Sequence, residues 1–113
     1  MVRKTNLSAT LRHKVVIQQP VVETDSVGEP IETFSHYATR KAKVSPLGGR
    51  ETYRLQQYFS EATNVILMRY DSLTSAINTK MRILFDSRVF NIESVINVDE
   101  MNREIRVVCT EQT

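Results

Sequence analysis

From Leu11 onward the chain alternates between apolar and polar side chains. In LRHKVVIQQ, Leu11, His13, Val15 and Ile17 fall on one parity, and Arg12, Lys14 and Gln18 on the other. This is the period of a half-buried strand. Pro20 cannot donate to a ladder, so it is expected to end this strand or to place it at an edge. ETDSVGEP follows, with the turn formers Asp25, Ser26, Gly28 and Pro30, and reads as a mobile loop. A longer alternation, from about Ile31 to Val44, sets Phe34, Ala38, Ala42 and Val44 against Thr33, Tyr37, Lys41 and Lys43. Pro46, Gly48 and Gly49 break it.

From Arg50 to about Ala62 the period lengthens. Tyr53, Leu55, Tyr58, Phe59 and Ala62 form a loose helical stripe, with Arg50, Arg54, Gln56 and Gln57 in the other directions. So short a helix is marginal without tertiary contacts. Strand signals return over Thr63–Tyr70, and DSLTSAINT reads as a loop with room for one helical turn. Lys80–Phe85 and Arg88–Asn97 are predicted to form a hairpin across Asp86-Ser87, although Ser is a poorer residue than Gly at positive φ. Asp99 to Asn102 makes another turn, and Glu104–Thr110 closes the pattern with Ile105, Val107 and Cys109 inward. The expected fold is mainly β, a small antiparallel β-barrel of about six strands with one short inserted helix. Residues 1–10, polar and basic at Arg3 and Lys4, are expected to be a flexible arm. Residues 11–113 are expected to form a single barrel domain, interrupted by a loop-helix insertion over 45–64.

Composition adds little to this picture. Hydrophobic residues make up 41% and charged residues 25% of 113 positions, an ordinary balance for one globular unit. A formal charge of +2 does not demand a polyanionic partner. Cys109 is the lone cysteine and cannot close an internal disulfide. With no apolar leader, the chain is expected to be made in a reducing cytosol, and no run is long enough to span a bilayer.

Chemistry is sparse. The Gly48-Gly49 pair lacks the Lys-Ser/Thr of a phosphate loop and the spacing of a dinucleotide fingerprint, so backbone bending is the simpler reading. His13 and His36 lie on separate strands and read as partly buried strand residues. One Cys with two scattered His does not make a zinc site, and Cys109, in phase with Ile105 and Val107, reads as inert core. Glu23, Asp25, Glu29 and Glu32 cluster about the first turn as a solvated acidic tip or a charged face for a partner. Arg40, Lys41, Lys43, Arg50 and Arg54 stand against the single acid Glu51. A nucleic-acid groove would add stacking aromatics to such a patch, for which Tyr53 and Tyr58 are available, yet their spacing suits packing equally well. No catalytic constellation, cofactor site or metal site emerges.

The order of several phrases is more informative than any one of them. LRHKVVIQQP, an Asp-x-x-Gly-x-Pro turn, KVSPLGGRE, ATNVILMRY and INTKMRILFDSRVFNIESVINVDEMNREIRVVCTE follow one another from about Leu11 to Glu111. This succession resembles the bacteriophage head–tail joining family, whose members are also called head–tail adaptor, head closure or stopper proteins. Its most specific part is KMRILFDSRVFNIESVINVDEMNRE; Asp86-Ser87 departs from the Asp-Gly expected there.

The resemblance implies a structural subunit of the virion's head–tail connector, assembled in the host cytoplasm. Roughly six or twelve copies would form a ring beneath the portal and adaptor, retaining DNA and offering a surface to the tail. It implies that the insertion faces the channel, with Gly48 and Gly49 as a hinge and Arg50, Arg54 and Gln57 near the packaged DNA. Contact there would be with phosphates and independent of sequence. Glu23, Asp25, Gly28 and Glu29 become candidate contacts with neighbouring rings. Two other readings remain at this point: a free nucleic-acid-binding barrel, and a tail completion or terminator subunit.

Overall fold

The computed structural model describes residues 11–48 and 61–112. Among them are six strands: β1 (His13–Thr24), β2 (Pro30–Pro46), β3 (Asn64–Arg69), β4 (Arg82–Phe85), β5 (Arg88–Asn97) and β6 (Glu104–Gln112). They close into an antiparallel barrel in the order β1-β2-β3-β6-β5-β4. Closure removes free edges from the barrel proper, which a small all-β chain must otherwise protect. The expected inserted helix and the N-terminal arm lie outside the described residues.

The interior follows the period-two pattern. Val15 and Ile17, Ala38 and Ala42, Ile66 and Met68, Ile83, Phe90 and Ile92, and Ile105, Val107 and Cys109 come from the six strands in turn and are all buried. The two alanines beside larger residues fit the narrow bore of a small barrel. Ile77 and Met81, from the loop between β3 and β4, pack against the same cluster.

Three local devices shape the strands. Tyr37 is an extra residue in β2, because Ile17 pairs with Ala38 while Gln18 pairs with His36. The bulge reverses the facing of everything before it, so Phe34 does not share the inward face of Ala38, Ala42 and Val44 as its parity suggested. It lies instead under the Arg82 guanidinium, 4.0 Å from its ring centroid. A second irregularity between Ile92 and Ser94 sets Glu93 aside in β5. Bulges of this kind bend a strand and re-aim a side chain.

The third device is the turn. Asp86 has a φ of 54°, whereas Ser87 is not among the positive-φ residues. One left-handed residue therefore suffices for the β4–β5 hairpin, and the missing glycine is not needed. The β5–β6 turn is more strained, with Asp99, Glu100 and Asn102 at φ of 54°, 53° and 56°. Each such non-glycine conformation costs on the order of 1 kcal/mol or more. The Asn97 side chain holds this turn shut, accepting from the Asn102 amide at 3.1 Å and donating to the Asn102 side-chain oxygen at 2.7 Å.

β1 does not end at Pro20 but runs on to Thr24. It pairs with β4 only from Val16 to Gln18, so beyond that point one side of it is open. A proline there breaks no ladder with β4.

Candidate functional site

The barrel has two unlike ends. At one end lie the start of β1, the β4–β5 turn, the C-terminus of β6 and the base of the segment between β2 and β3. At the other lie the cap between β3 and β4, the β5–β6 turn, and a ribbon made of the outer halves of β1 and β2. The sequence-derived candidates separate accordingly: Gly48 at the first end, and Glu23, Asp25, Gly28 and Glu29 at the tip of the ribbon. Gly49, Arg50, Arg54 and Gln57 lie outside the described residues.

The base of the segment is pinned. Pro46 pairs with Asn64. The Leu47 amide donates to the Thr63 carbonyl at 2.9 Å, and the Thr63 amide to the Cys109 carbonyl at 3.0 Å. The Thr63 hydroxyl accepts from the Glu111 amide, and the Thr110 hydroxyl donates to the Glu61 carbonyl. Gly48 then stands exposed at the edge of this clamp. It does not take positive φ, and a Cβ added there would meet nothing within 4 Å. Neither conformation nor space requires glycine here, which leaves backbone freedom as its physical use.

The ribbon tip is better ordered than a mobile loop. Asp25 Oδ1 accepts from the amides of Val27 and Glu29 at 2.9 and 2.8 Å. The Asp25 amide donates to the Glu29 carbonyl, and the Gly28 amide to the Asp25 carbonyl. Gly28 has a φ of 87°, where a side chain would be strained. Asp25 and Gly28 therefore build the turn, while the carboxylates of Glu23 and Glu29 remain exposed.

At the same end the cap was legible only as a loop with a possible helical turn, which it contains as Thr74–Ala76. Asp71 and Thr74 organise it. Asp71 Oδ1 accepts from the Leu73 and Thr74 amides, and Oδ2 from Arg40 Nε, each at 2.8 Å. The fully buried Thr74 hydroxyl accepts from the Asp71 amide and donates to the Arg69 carbonyl. Tyr37, the bulged residue, donates from its hydroxyl to the Leu73 carbonyl at 2.7 Å. The sequence signal was present in the D-x-x-T of DSLT, a reciprocal side chain–backbone pattern.

Burial works against the Asp71 charge. The Arg40 hydrogen bond, the two amides and the guanidinium charge outweigh it and hold the carboxyl below its ordinary value. A depressed carboxyl contributes stability above its unfolded-state pKa and loses it as pH falls through the folded one. Asp71→Asn, which keeps the amide acceptor but not the charge, is therefore expected to cost about 1 kcal/mol at neutral pH, modest because the pair is partly solvated. The difference from wild type should shrink below about pH 4; urea melts at the two pH values read it directly.

The residues considered for catalysis have other employment. His13 Nδ1 accepts from the Val44 amide at 3.1 Å, and the ring lies 4.8 Å from that of Phe85. His36 is exposed, not partly buried as its strand position suggested, and sits 2.9 Å from the Thr39 hydroxyl. Cys109 is fully buried; burial first, and then the Glu93 charge, push its thiol up to about 12. Such a thiol is inert. Among the described residues no cluster suits a metal ion.

The basic patch divides. Arg40 is committed to Asp71. Lys41 and Lys43 are exposed on the outer face of β2, where Lys41 stands directly opposite Lys14. One row further, Lys43, Leu67, Arg106 and Ile96 cross β2, β3, β6 and β5 in register. The described aromatics do not join this face. Tyr37 and Phe34 are engaged as above, Phe85 lies against His13, Phe90 is buried, and Tyr70 packs on the core. A stacking platform for single strands is thus missing among the described residues.

What distinguishes the molecule is a closed barrel with a pinned segment at one end and an acidic ribbon at the other, an arrangement suited to assembly. The family model for the phage head completion protein matches residues 7–112. The chain belongs to that family. Its role is accordingly structural, at the head of the phage virion. A protein from Shigella flexneri 2a, known from its solution structure, is 25% identical with a TM-score of 0.77, over 96% of this chain and 98% of its own. A chain in the virion of a native gene transfer agent particle shares the fold at 18% identity and a TM-score of 0.59, over 90% of this chain and 96% of that one. No curated protein is matched.

Proposed function

We propose that this head completion protein closes the DNA exit of the filled head. Copies would stand side by side in a ring below the portal or adaptor, hold the segment between β2 and β3 toward the channel, and offer their outer ends to the tail. The observation that carries this reading is the division of labour along the barrel. At one end a hydrogen-bonded clamp fixes the root of the segment between β2 and β3, with Gly48 exposed at its edge. The ribbon and cap occupy the other end and are available to a neighbouring protein.

DNA under packing pressure calls for a physical obstruction more than an affinity site. Identical segments converging on an axis supply one without any specific base contact. Arg50 and Arg54, repeated around the ring, would place positive charge beside phosphates and add a salt-dependent hold. Contact of this kind carries no sequence information. Heads assembled without the protein are expected to lose DNA after packaging and to refuse tails, and added purified protein should restore both. Heads that keep their DNA and take tails normally in its absence would overturn the proposal.

A further inference from the structure

Resting on the ring reading above, we infer that the β1–β2 ribbon of one copy docks on the basic outer face of the next copy. The ribbon lacks support of its own. From Gln19 to Ser35 the two strands pair only with each other, since β4 stops at Gln18 and β3 meets β2 only between Ala42 and Pro46. Isolated two-stranded ribbons are marginal in water. This one also leaves Val27 79% and Val22 70% exposed, with Ile31 at 43%.

The ribbon's charge is one-sided. Glu23, Asp25, Glu29 and Glu32 lie between Gln19 and Ser35, and no Lys or Arg does. Cross-strand pairing puts Val22 beside Glu32 on one face and Ile31 beside Glu23 on the other. Each face therefore joins an exposed apolar side chain to a carboxylate, which a merely solvated ribbon does not need.

The outer face of the barrel has the same alternation with the opposite sign. Lys14 and Lys41 oppose each other directly, a like-charge pairing that destabilises a sheet unless something negative covers it. Lys43 and Arg106 flank the half-buried Leu67, and Ile96 follows, 39% exposed. Among the described residues none of these four cations makes an ion pair.

The two surfaces cannot meet within one chain. The root of the ribbon is braced by Arg82, which stacks on Phe34 and donates to Gln18 at 2.7 Å. The tip is tied by Asp25. The ribbon thus extends about 20 Å past the last residues that pair with β4, as a stiff continuation of the two strands that carry Lys14 and Lys41. In a ring the adjacent copy supplies that face at a constant position. Duplex DNA would satisfy the cations, but it would leave Leu67, Ile96 and the ribbon's apolar residues without a use, and the acids would repel it.

Charge exchange in the full chain tests the contact. The ribbon-reversed variant is Glu23→Lys with Glu32→Lys, the face-reversed variant is Lys41→Glu with Lys43→Glu, and the third protein carries all four changes. All sites are on the surface, and circular dichroism reports retention of the fold. Self-association of the purified chain by sedimentation, and copies bound per head, are measured at low and high salt. Each two-site reversal is expected to weaken association at least about tenfold at low salt, and the four-site protein to regain most of it. Wild-type association should weaken as salt rises.

Unchanged association in either reversed variant overturns the inference. So does a four-site protein no better than the face-reversed one; if duplex DNA binding is lost in that case, the basic face belongs to DNA. Wild type that associates neither in solution nor on heads also overturns it. Failure of the closure function reads differently: heads would hold their DNA without the protein, while charge exchange on the purified chain still restored association.

Discussion

Phe90→Ala is expected to lower the stability of the fold by about 3–5 kcal/mol. Phe90 is the largest fully buried side chain among the described residues, at 0% exposure. It sits in β5 between Ile83 of β4 and Glu111 of β6. The strands around it are hydrogen-bonded to neighbours on both sides, so the wall cannot close over the lost ring as a free helix might. The loss is therefore the transfer free energy of the ring plus an unrelieved cavity. A domain of this size has about 5–15 kcal/mol in total, so the variant gives up a large share of its stability. Phe90→Leu, which refills most of the volume, is expected to cost less than half as much. Urea melts of the two variants read the difference, and a loss below about 1 kcal/mol for the alanine would mean that the interior is not a closed, packed bore.

That core was legible because the residues facing the bore in β3, β5 and β6 keep the strand period, although the paired Val65 and Val108 on the other parity are buried too. Ile66 and Met68, Phe90 and Ile92, and Ile105, Val107 and Cys109 all fall where period two puts them. Strand ends were legible to within a few residues, except that β1 runs past Pro20 to Thr24. Of the two outcomes expected at Pro20, an end or an edge, the structure has the edge, because β1 has already parted from β4 there and the missing donor is harmless. Phe34 was misplaced for a related reason. A bulge is one residue of slip, and it turns the far half of a strand over; nothing in SHYATR marks Tyr37 as the extra residue. Only the structure shows its use, a hydroxyl delivered to the cap at Leu73.

The functional surfaces were legible unevenly. The acids of ETDSVGEP were visible as a cluster, but their position at the free tip of a long ribbon depends on where β3 and β4 stop pairing, which is a property of the closed sheet. The basic run from Arg40 to Lys43 looked continuous in the sequence. Alternation divides it: Arg40 turns to Asp71 at the capped end, while Lys41 and Lys43 stay outside. Arg106 joins them from the far end of the chain through β3, a neighbour relation that only the strand order creates. The D-x-x-T of the cap could have been found by its pattern, and the three left-handed residues of the β5–β6 turn could not, since none is a glycine.

Replacing residues 49–60 by a two-residue Asn-Gly linker is expected to abolish DNA retention by heads while the barrel remains folded. The clamp makes the separation possible. Leu47 and Thr63 are already hydrogen-bonded across the gap, and Pro46 and Asn64 are paired, so Gly48 and Glu61 can be joined by a tight hairpin turn. Shortening a loop whose ends are held together lowers the entropy of closing it, and a single cooperative melting transition should persist. If the proposed closure resides in this segment, the shortened protein should still join heads through its barrel and ribbon, yet the heads should empty as they do without the protein. Gly48→Pro with Gly49→Pro isolates the swing from the obstruction. It keeps the segment's bulk and charge but stiffens its root, so heads should stay filled and eject DNA poorly on infection. Shortened protein that joins heads and still retains DNA would place the obstruction in another protein of the connector and leave this one as a joint alone.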